Sequence, residues 1–163
     1  MNRLLIVYHS LTGGTRQMAQ AAAAGAGREP AIIVQLETAA TATADHTISA
    51  QGYLFACPEN LAAMSGVMKD FFDRTYYPAL DRIQGRPYAT MICAGSDGSN
   101  AVRQIERIAT GWRLKAIAAP LIVCTHAQTP EQILGSKQID AADLARCEEL
   151  GATLAAGLAL GIY

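Results

Sequence analysis

The sequence predicts a three-layer α/β sandwich, a parallel sheet of five strands with helices on both faces. Three observations carry this. Apolar runs of strand length recur along the chain without polar alternation, as strands buried on both faces do. Segments with helical apolar spacing lie between them, and strands interleaved with helices close into a parallel sheet covered on both sides. The chain has 163 residues, 51% hydrophobic and 17% charged, so residues 1–163 are expected to be a single domain able to bury a core without disulfide or metal staples. Only 6% of residues are aromatic and much of the apolar content is alanine. Helices are therefore expected to pack closely through small faces.

Leu4–Tyr8 reads as the first strand. Gly14 to Ala26 follows as a helix with Met18, Ala19, Ala22 and Ala26 on one face. Ala31–Leu36 is a second strand nearer an edge, and Glu37 to Thr47 is a polar connection with no assigned structure. Gln51–Cys57 is the third strand, stopped by Pro58. Ser65 is placed as the cap of the next helix, where Met68, Phe71, Phe72 and Thr75 recur at helical spacing before Pro78. Tyr88–Ala94 is the fourth strand, broken by Gly95-Ser96-Asp97-Gly98. Val102, Ile105, Ile108 and Ala109 stripe a third helix. Leu121–Cys124 is the fifth strand, and Asp140 caps a last helix carrying Leu144, Cys147, Leu150, Leu154 and Leu158.

A net charge of −1, from 13 basic and 14 acidic residues, argues against nucleic acid held by phosphate neutralisation. It equally argues against an acidic carrier docking on basic partners. Cys57, Cys93, Cys124 and Cys147 are dispersed, with no C-x-x-C and no zinc spacing. Dispersed cysteines fit a reducing cytoplasm. The apolar run after Met1-Asn2-Arg3 is too short for a signal peptide, and no window approaches a membrane span.

In an open parallel sheet, ligands bind at the carboxyl ends of the strands. Three loops fall there. Ser10-Leu11-Thr12-Gly13-Gly14-Thr15 is neither a dinucleotide fingerprint nor a P-loop. It offers three hydroxyls, a backbone free to curl, and a helix N-terminus, which together suit a terminal monophosphate. Its plain alternative is an ordinary capped turn. The second loop begins at Pro58, with Glu59-Asn60 facing the strand-end crevice or simply solvent. The third is Ala94-Gly95-Ser96-Asp97-Gly98, whose glycines allow close approach of a ligand to backbone. Read otherwise, Gly95-Ser96-x-Gly98 is a serine nucleophile elbow needing an acid and a base such as His126.

The Ser10-x-Thr12-Gly13-x-Thr15 loop resembles the phosphate loop of flavodoxin-like flavoproteins. Pro58, Met64-Ser65-Gly66, Met68-Lys69, Phe71 and Asp73 resemble the P-x-x-x-x-x-M-S-G-x-M-K-x-F-x-D segment of NAD(P)H-dependent FMN reductases. The same segment occurs in the quinone reductases first described as tryptophan-repressor-binding proteins. The resemblance spans nearly the whole chain. It implies a flavodoxin-like sheet of strand order 2-1-3-4-5, FMN as cofactor and NAD(P)H as co-substrate. Carried over, Ser10, Leu11, Thr12, Gly13, Gly14 and Thr15 hold the phosphate. Pro58, Glu59, Asn60 and Leu61 wrap the flavin, mostly through backbone groups. Ala94, Gly95, Ser96, Asp97 and Gly98 meet its pyrimidine edge. Met64, Val67, Met68, Phe71 and Phe72 are assigned to core packing.

The expected function is an NAD(P)H-dependent oxidoreductase passing hydride through FMN to a flavin, quinone or similar small acceptor, with no side-chain acid or base. Flavodoxin-type carriers resemble one another in acidity and in flanking the flavin with aromatics. Here the charge is near zero and neither flavin loop holds Trp or Tyr. A non-enzymatic carrier remains the first alternative and a serine hydrolase using Ser96 the second. No nucleic acid, membrane or metal partner is expected, and a homo-oligomer is left open. Tyr76, Tyr77 and the Gln128–Ile139 loop are candidates to border the open face. Cys57, Cys93 and Cys124 are candidates for neighbouring positions across the sheet, more simply as packing residues.

Overall fold

Strand β1 (Asn2–Tyr8) lies at the centre of the sheet in the computed structural model, which describes residues 1–163. Leu4 and Ile6 point to one face and Leu5 and Val7 to the other, all four fully buried. A strand with that burial needs a parallel partner on each side. It finds them in β2 (Ile32–Thr38) and β3 (Gly52–Asn60). Next to β3 runs β5 (Pro87–Ala94), parallel, with Phe55 opposite Thr90.

Beyond β5 the edge is shared by two short strands. β6 (Lys115–Ala116) pairs with Pro87 and Tyr88, and β7 (Leu121–Cys124) pairs with Met91 to Ala94. The fifth strand is thus interrupted at residues 117–120, where Pro120 has no N–H for the ladder. With β6 and β7 as its two halves, the order is β2-β1-β3-β5-β6/β7, which for the five main strands is the expected 2-1-3-4-5. The sheet has seven strands rather than five. The remaining addition is β4 (Ala63–Met64), antiparallel to the tip of β3.

Helices α1 (Gly14–Ala26) and α6 (Ala141–Leu160) cover one face. They meet backbone to backbone: a Cβ added at Gly151 would lie 1.9 Å from the Ala22 carbonyl oxygen. Alanine and glycine faces produce that close approach, as the composition implied. Asp140 caps α6, accepting from Asp143 N at 2.8 Å.

The other face holds α2 (Ala44–Ser49), α3 (Gly66–Ala79) and α4 (Ser99–Gly111). Here Phe55 packs edge-on to Phe72 at 5.2 Å, and Phe72 meets Trp112 at 5.7 Å. Burying each such ring contributes about 1.5–3 kcal/mol. Trp112 is 1% exposed and stacks on Tyr76. Helix α2 begins in the Glu37–Thr47 stretch the sequence left unassigned and runs two residues beyond it; Thr43 and His46 form its capping box. No helix is long and apolar enough to cross a membrane.

Candidate functional site

The carboxyl end of β1 leads through His9–Gly13 into α1. Gly13 adopts φ +95°, and no side chain caps the helix there. The turn is closed by Gly13 N donating to Ser10 Oγ at 3.1 Å. Without a side-chain cap, the first-turn N–H groups of α1 and its positive dipole end remain available to an anion. Thr15 sits in that first turn, only 2% exposed, yet its hydroxyl has no hydrogen-bond partner in the protein. An unpaired hydroxyl beside a cavity keeps its proton and lone pairs for whatever occupies that cavity.

Ser10, Leu11, Thr12, Gly14 and Thr15 line a cavity of about 70 Å³. Pro58 and Asn60 close it from β3, Cys93 from β5, and Ile133 and Leu134 from the far side. The first two sequence-predicted loops are therefore brought together around one small polar hollow. A second cavity, of about 180 Å³, opens on the other side of Leu11 and is lined by Tyr8, His9, Arg16 and Val67 among others.

Pro58 does not stop β3, contrary to expectation. It stays in register with Cys93, and the strand continues to Asn60 before turning back into β4. Leu61 (φ +50°) and Ala62 (φ +62°) form the turn. Two successive positive φ values define the tight hairpin turn whose twist matches its strands. Neither residue is glycine, so the turn stores strain of the order of 1 kcal/mol or more per residue. Leu61 stands fully exposed at the tip.

What holds this hairpin is α4. Glu59 does not face the crevice: its carboxylate accepts from Gly98 N at 2.9 Å and from Ala101 N at 3.2 Å, capping α4 from a distant strand. Asn100 Nδ2 donates to Ala62 O at 2.6 Å, and Met64 N donates to Gln104 Oε1 at 2.8 Å. The second and third loops are thereby locked to each other. Only Pro58 and Asn60 of the second loop reach the cavity, and no third-loop residue does.

In the third loop Ser96 and Asp97 are exposed. Asp97 Oδ1 accepts from Ser99 N at 3.1 Å, and its bonds to Ser99 hold the carboxyl below the usual range. Ser96 hydrogen-bonds neither His126 nor a carboxylate. The serine–histidine pair in the molecule is Ser65 with His9, whose hydroxyl and Nδ1 lie 2.8 Å apart. Ser65 stands at the N-cap of α3 but makes no side-chain cap; its hydroxyl pairs with His9 instead. Burial lowers the pKa of His9.

The cysteines do not cluster across the sheet. Cys57 lies opposite Ile92 and faces the α3–α4 side; Cys93 lies opposite Val123 and faces α1 and α6. Burial pushes both thiols up to about 11, so both are protonated at neutral pH. Tyr76 and Tyr77 do not border the site either. Helix α3 runs from the carboxyl end of the strands towards β5's beginning and carries them to the opposite end, Tyr76 against Trp112 and Tyr77 exposed.

The Gln128–Ile139 segment does reach the site. It contains α5 (Pro130–Leu134), capped by Thr129 and Gln132, which bring Ile133 and Leu134 over the cavity. The pattern Thr-Pro-Glu-Gln is a capping-box signature and could have placed this helix from sequence. The segment's Lys137 reaches Thr12 Oγ1 at 3.3 Å, and nothing local in the sequence announces that contact.

Known proteins share this architecture. The family model for NADPH-dependent FMN reductase matches residues 29–129. A flavodoxin of Aquifex aeolicus is 30% identical over 98 residues, 60% of this chain and 53% of that protein. An NAD(P)H dehydrogenase (quinone) of Acidithiobacillus ferrooxidans is 32% identical over 95 residues, 46% of this chain and 48% of that protein. The matches thus span about half the length of these curated relatives. A flavodoxin from the domain Archaea superposes with a TM-score of 0.77 at 19% identity, covering 96% of this chain and 98% of that one. The fold is flavodoxin-like.

Proposed function

Because this chain belongs to the NADPH-dependent FMN reductase family, we propose that residues 1–163 form a single FMN-binding domain that passes electrons from NAD(P)H to a flavin, quinone or similar small acceptor. The observation that carries the reading is the hollow at the start of α1. It combines an uncapped helix N-terminus, an unpartnered Thr15 hydroxyl and the Ser10 and Thr12 hydroxyls around about 70 Å³. That volume suits a phosphate head and not a tricyclic ring, so the ring of FMN belongs outside it, against the open strand-end surface.

In this reading Ser10, Leu11, Thr12, Gly13, Gly14 and Thr15 hold the phosphate through hydroxyl and backbone donors. Pro58 and Asn60 border the ribityl side. The Glu59–Leu61 tip and Ala94–Gly98 present backbone to the ring, and Glu59 works indirectly by fixing both loops to α4. FMN, when bound, would supply the two-electron chemistry by which hydride passes from a nicotinamide to the acceptor. The protein's contribution is binding and orientation. Neither stretch assigned to the ring, Glu59–Leu61 or Ala94–Gly98, carries an aromatic side chain, which favours an open face for stacking of a second ring. The likeness to the Aquifex flavodoxin favours a second reading, a carrier that exchanges electrons with a protein partner and not with pyridine nucleotide.

One experiment separates them. The FMN-loaded protein is mixed anaerobically with NADH or NADPH while the flavin absorbance is followed. The reductase loses the oxidised-flavin band on addition of nucleotide alone. If neither nucleotide removes it while dithionite does, the carrier reading replaces ours. Failure to bind FMN at saturation would sink both.

A further inference from the structure

We propose that Lys137 is the residue that makes this chain select phosphorylated over unphosphorylated flavin, acting through Thr12 and through its own charge. The inference rests on the FMN reading above and assigns a specificity role to a residue far from the phosphate loop in sequence.

The segment carrying Lys137 is fastened to that loop at several points. Lys137 N donates to Thr12 O at 2.8 Å. Gln17, one turn into α1, donates from Nε2 to Lys137 O at 2.8 Å and to Gly13 O at 3.0 Å, and its Oε1 accepts from Ile139 N at 3.1 Å. The lysine's position is therefore set by the same helix whose N-terminus faces the hollow.

Its ammonium donates to Ile133 O at 2.8 Å, Gly135 O at 2.7 Å and Thr12 Oγ1 at 3.3 Å. All three donors are engaged, none with an anion, and Lys137 takes part in no ion pair. A half-buried positive charge without a counter-charge is costly unless an anion comes to it. Thr12, whose hydroxyl it touches, lines the hollow.

A hydroxyl has one proton and two lone pairs. With Lys137 donating to one lone pair, the Thr12 proton is free to be donated to an acceptor in the hollow, and the cation strengthens that donation. Thr15 adds the second waiting hydroxyl on the same wall. Arg16, the other nearby cation, is exposed and borders the neighbouring cavity. Lys137 is thus the cation aligned with the phosphate hollow, and it acts as a positioning residue, since Thr12 makes the contact.

The test titrates the full chain with FMN and with riboflavin by fluorescence quenching, at low and high salt, for the wild type, Lys137→Met and Lys137→Arg. Lys137→Met should weaken FMN binding about tenfold, the worth of one charge-assisted hydrogen bond, while riboflavin stays within about twofold. It should also flatten the salt dependence of FMN binding, and Lys137→Arg should restore both. A Lys137→Met protein with the wild-type FMN-to-riboflavin ratio overturns the inference alone. So does an equal loss for both ligands, since that is what a merely structural strap would produce. A wild type that ignores FMN overturns the functional reading and this inference together.

Discussion

Replacing Glu59 by alanine removes the carboxylate that ties the β3 hairpin to Gly98 and to α4, and its cost can be worked from the geometry. The carboxylate accepts from Gly98 N at 2.9 Å and from Ala101 N at 3.2 Å, and Ala101 is fully buried. Loss of a helix N-cap costs about 0.5–2 kcal/mol. A buried N–H left without an acceptor costs about 1–3 kcal/mol. The favourable placement of a negative charge at a helix N-terminus adds about 0.3–1 kcal/mol. These terms overlap, because the cap includes one of the hydrogen bonds, so the expected total is about 2–3 kcal/mol for Glu59→Ala. Glu59→Gln keeps one acceptor oxygen but replaces the other, which serves the second N–H, by an amino group that cannot accept, and about 2 kcal/mol is expected. For a chain of this size that translates into a fall in Tm of roughly 5–10 °C and 4–8 °C respectively. Urea unfolding at pH 7 measures both directly. The hairpin keeps its bonds to Asn100 and Gln104 but loses its tie to Gly98, so FMN affinity should fall with stability. A Glu59→Ala protein within about 0.5 kcal/mol of the wild type would refute the cap and, with it, the account of how the hairpin is held.

Thr90, 2% exposed in β5, has a hydroxyl with no hydrogen-bond partner; the near-isosteric Thr90→Val should raise stability by about 1 kcal/mol, and a loss on thermal unfolding would show that the hydroxyl is satisfied after all. Burial raises Cys57, Cys93 and Cys147 from 9.0 to about 11. The unfolded chain therefore ionises first, and the stability these thiols confer is whole below pH 9 and lost as pH rises towards 11. The urea midpoint should fall across that window and fall less in Cys147→Ala; an unchanged pH profile in that variant would remove its thiol from the account.

The fold was legible because its determinants are local and periodic. A strand such as Leu4–Tyr8, apolar on both faces, has few homes other than a parallel sheet, and helical stripes between such strands leave little choice of layers. Misreadings came where a rule about a residue met a neighbour the rule does not see. Pro58 reads as a stop because it cannot donate to the ladder, yet β3 passes through it to Asn60 and turns back into β4. Ser65 reads as a cap and stands at the cap position, but His9, far away in sequence, takes its hydroxyl. The fifth strand split into β6 and β7 because backbone pairing resumes on either side of Pro120, a matter of register and not of composition.

The site divides along the same line. Hydroxyls, glycines and a helix start within one short loop declare an anion site in the sequence itself, because every group that makes it is within six residues of the others. Glu59 and Lys137 could not be read that way. Each acts on a partner 39 or more residues distant, and each looks locally like an ordinary solvated charge. Their roles follow from where β3, α4 and the Gln128–Ile139 segment converge at the carboxyl edge of the sheet. The division has a physical reason: binding groups that approach a ligand through backbone need a particular local sequence, whereas groups that hold those loops in place need only the right charge at the right point in space. A loop with the same chemistry could therefore be shared widely among related chains while its supports differ, and it is in the supports that the selectivity for phosphate proposed for this chain is to be tested.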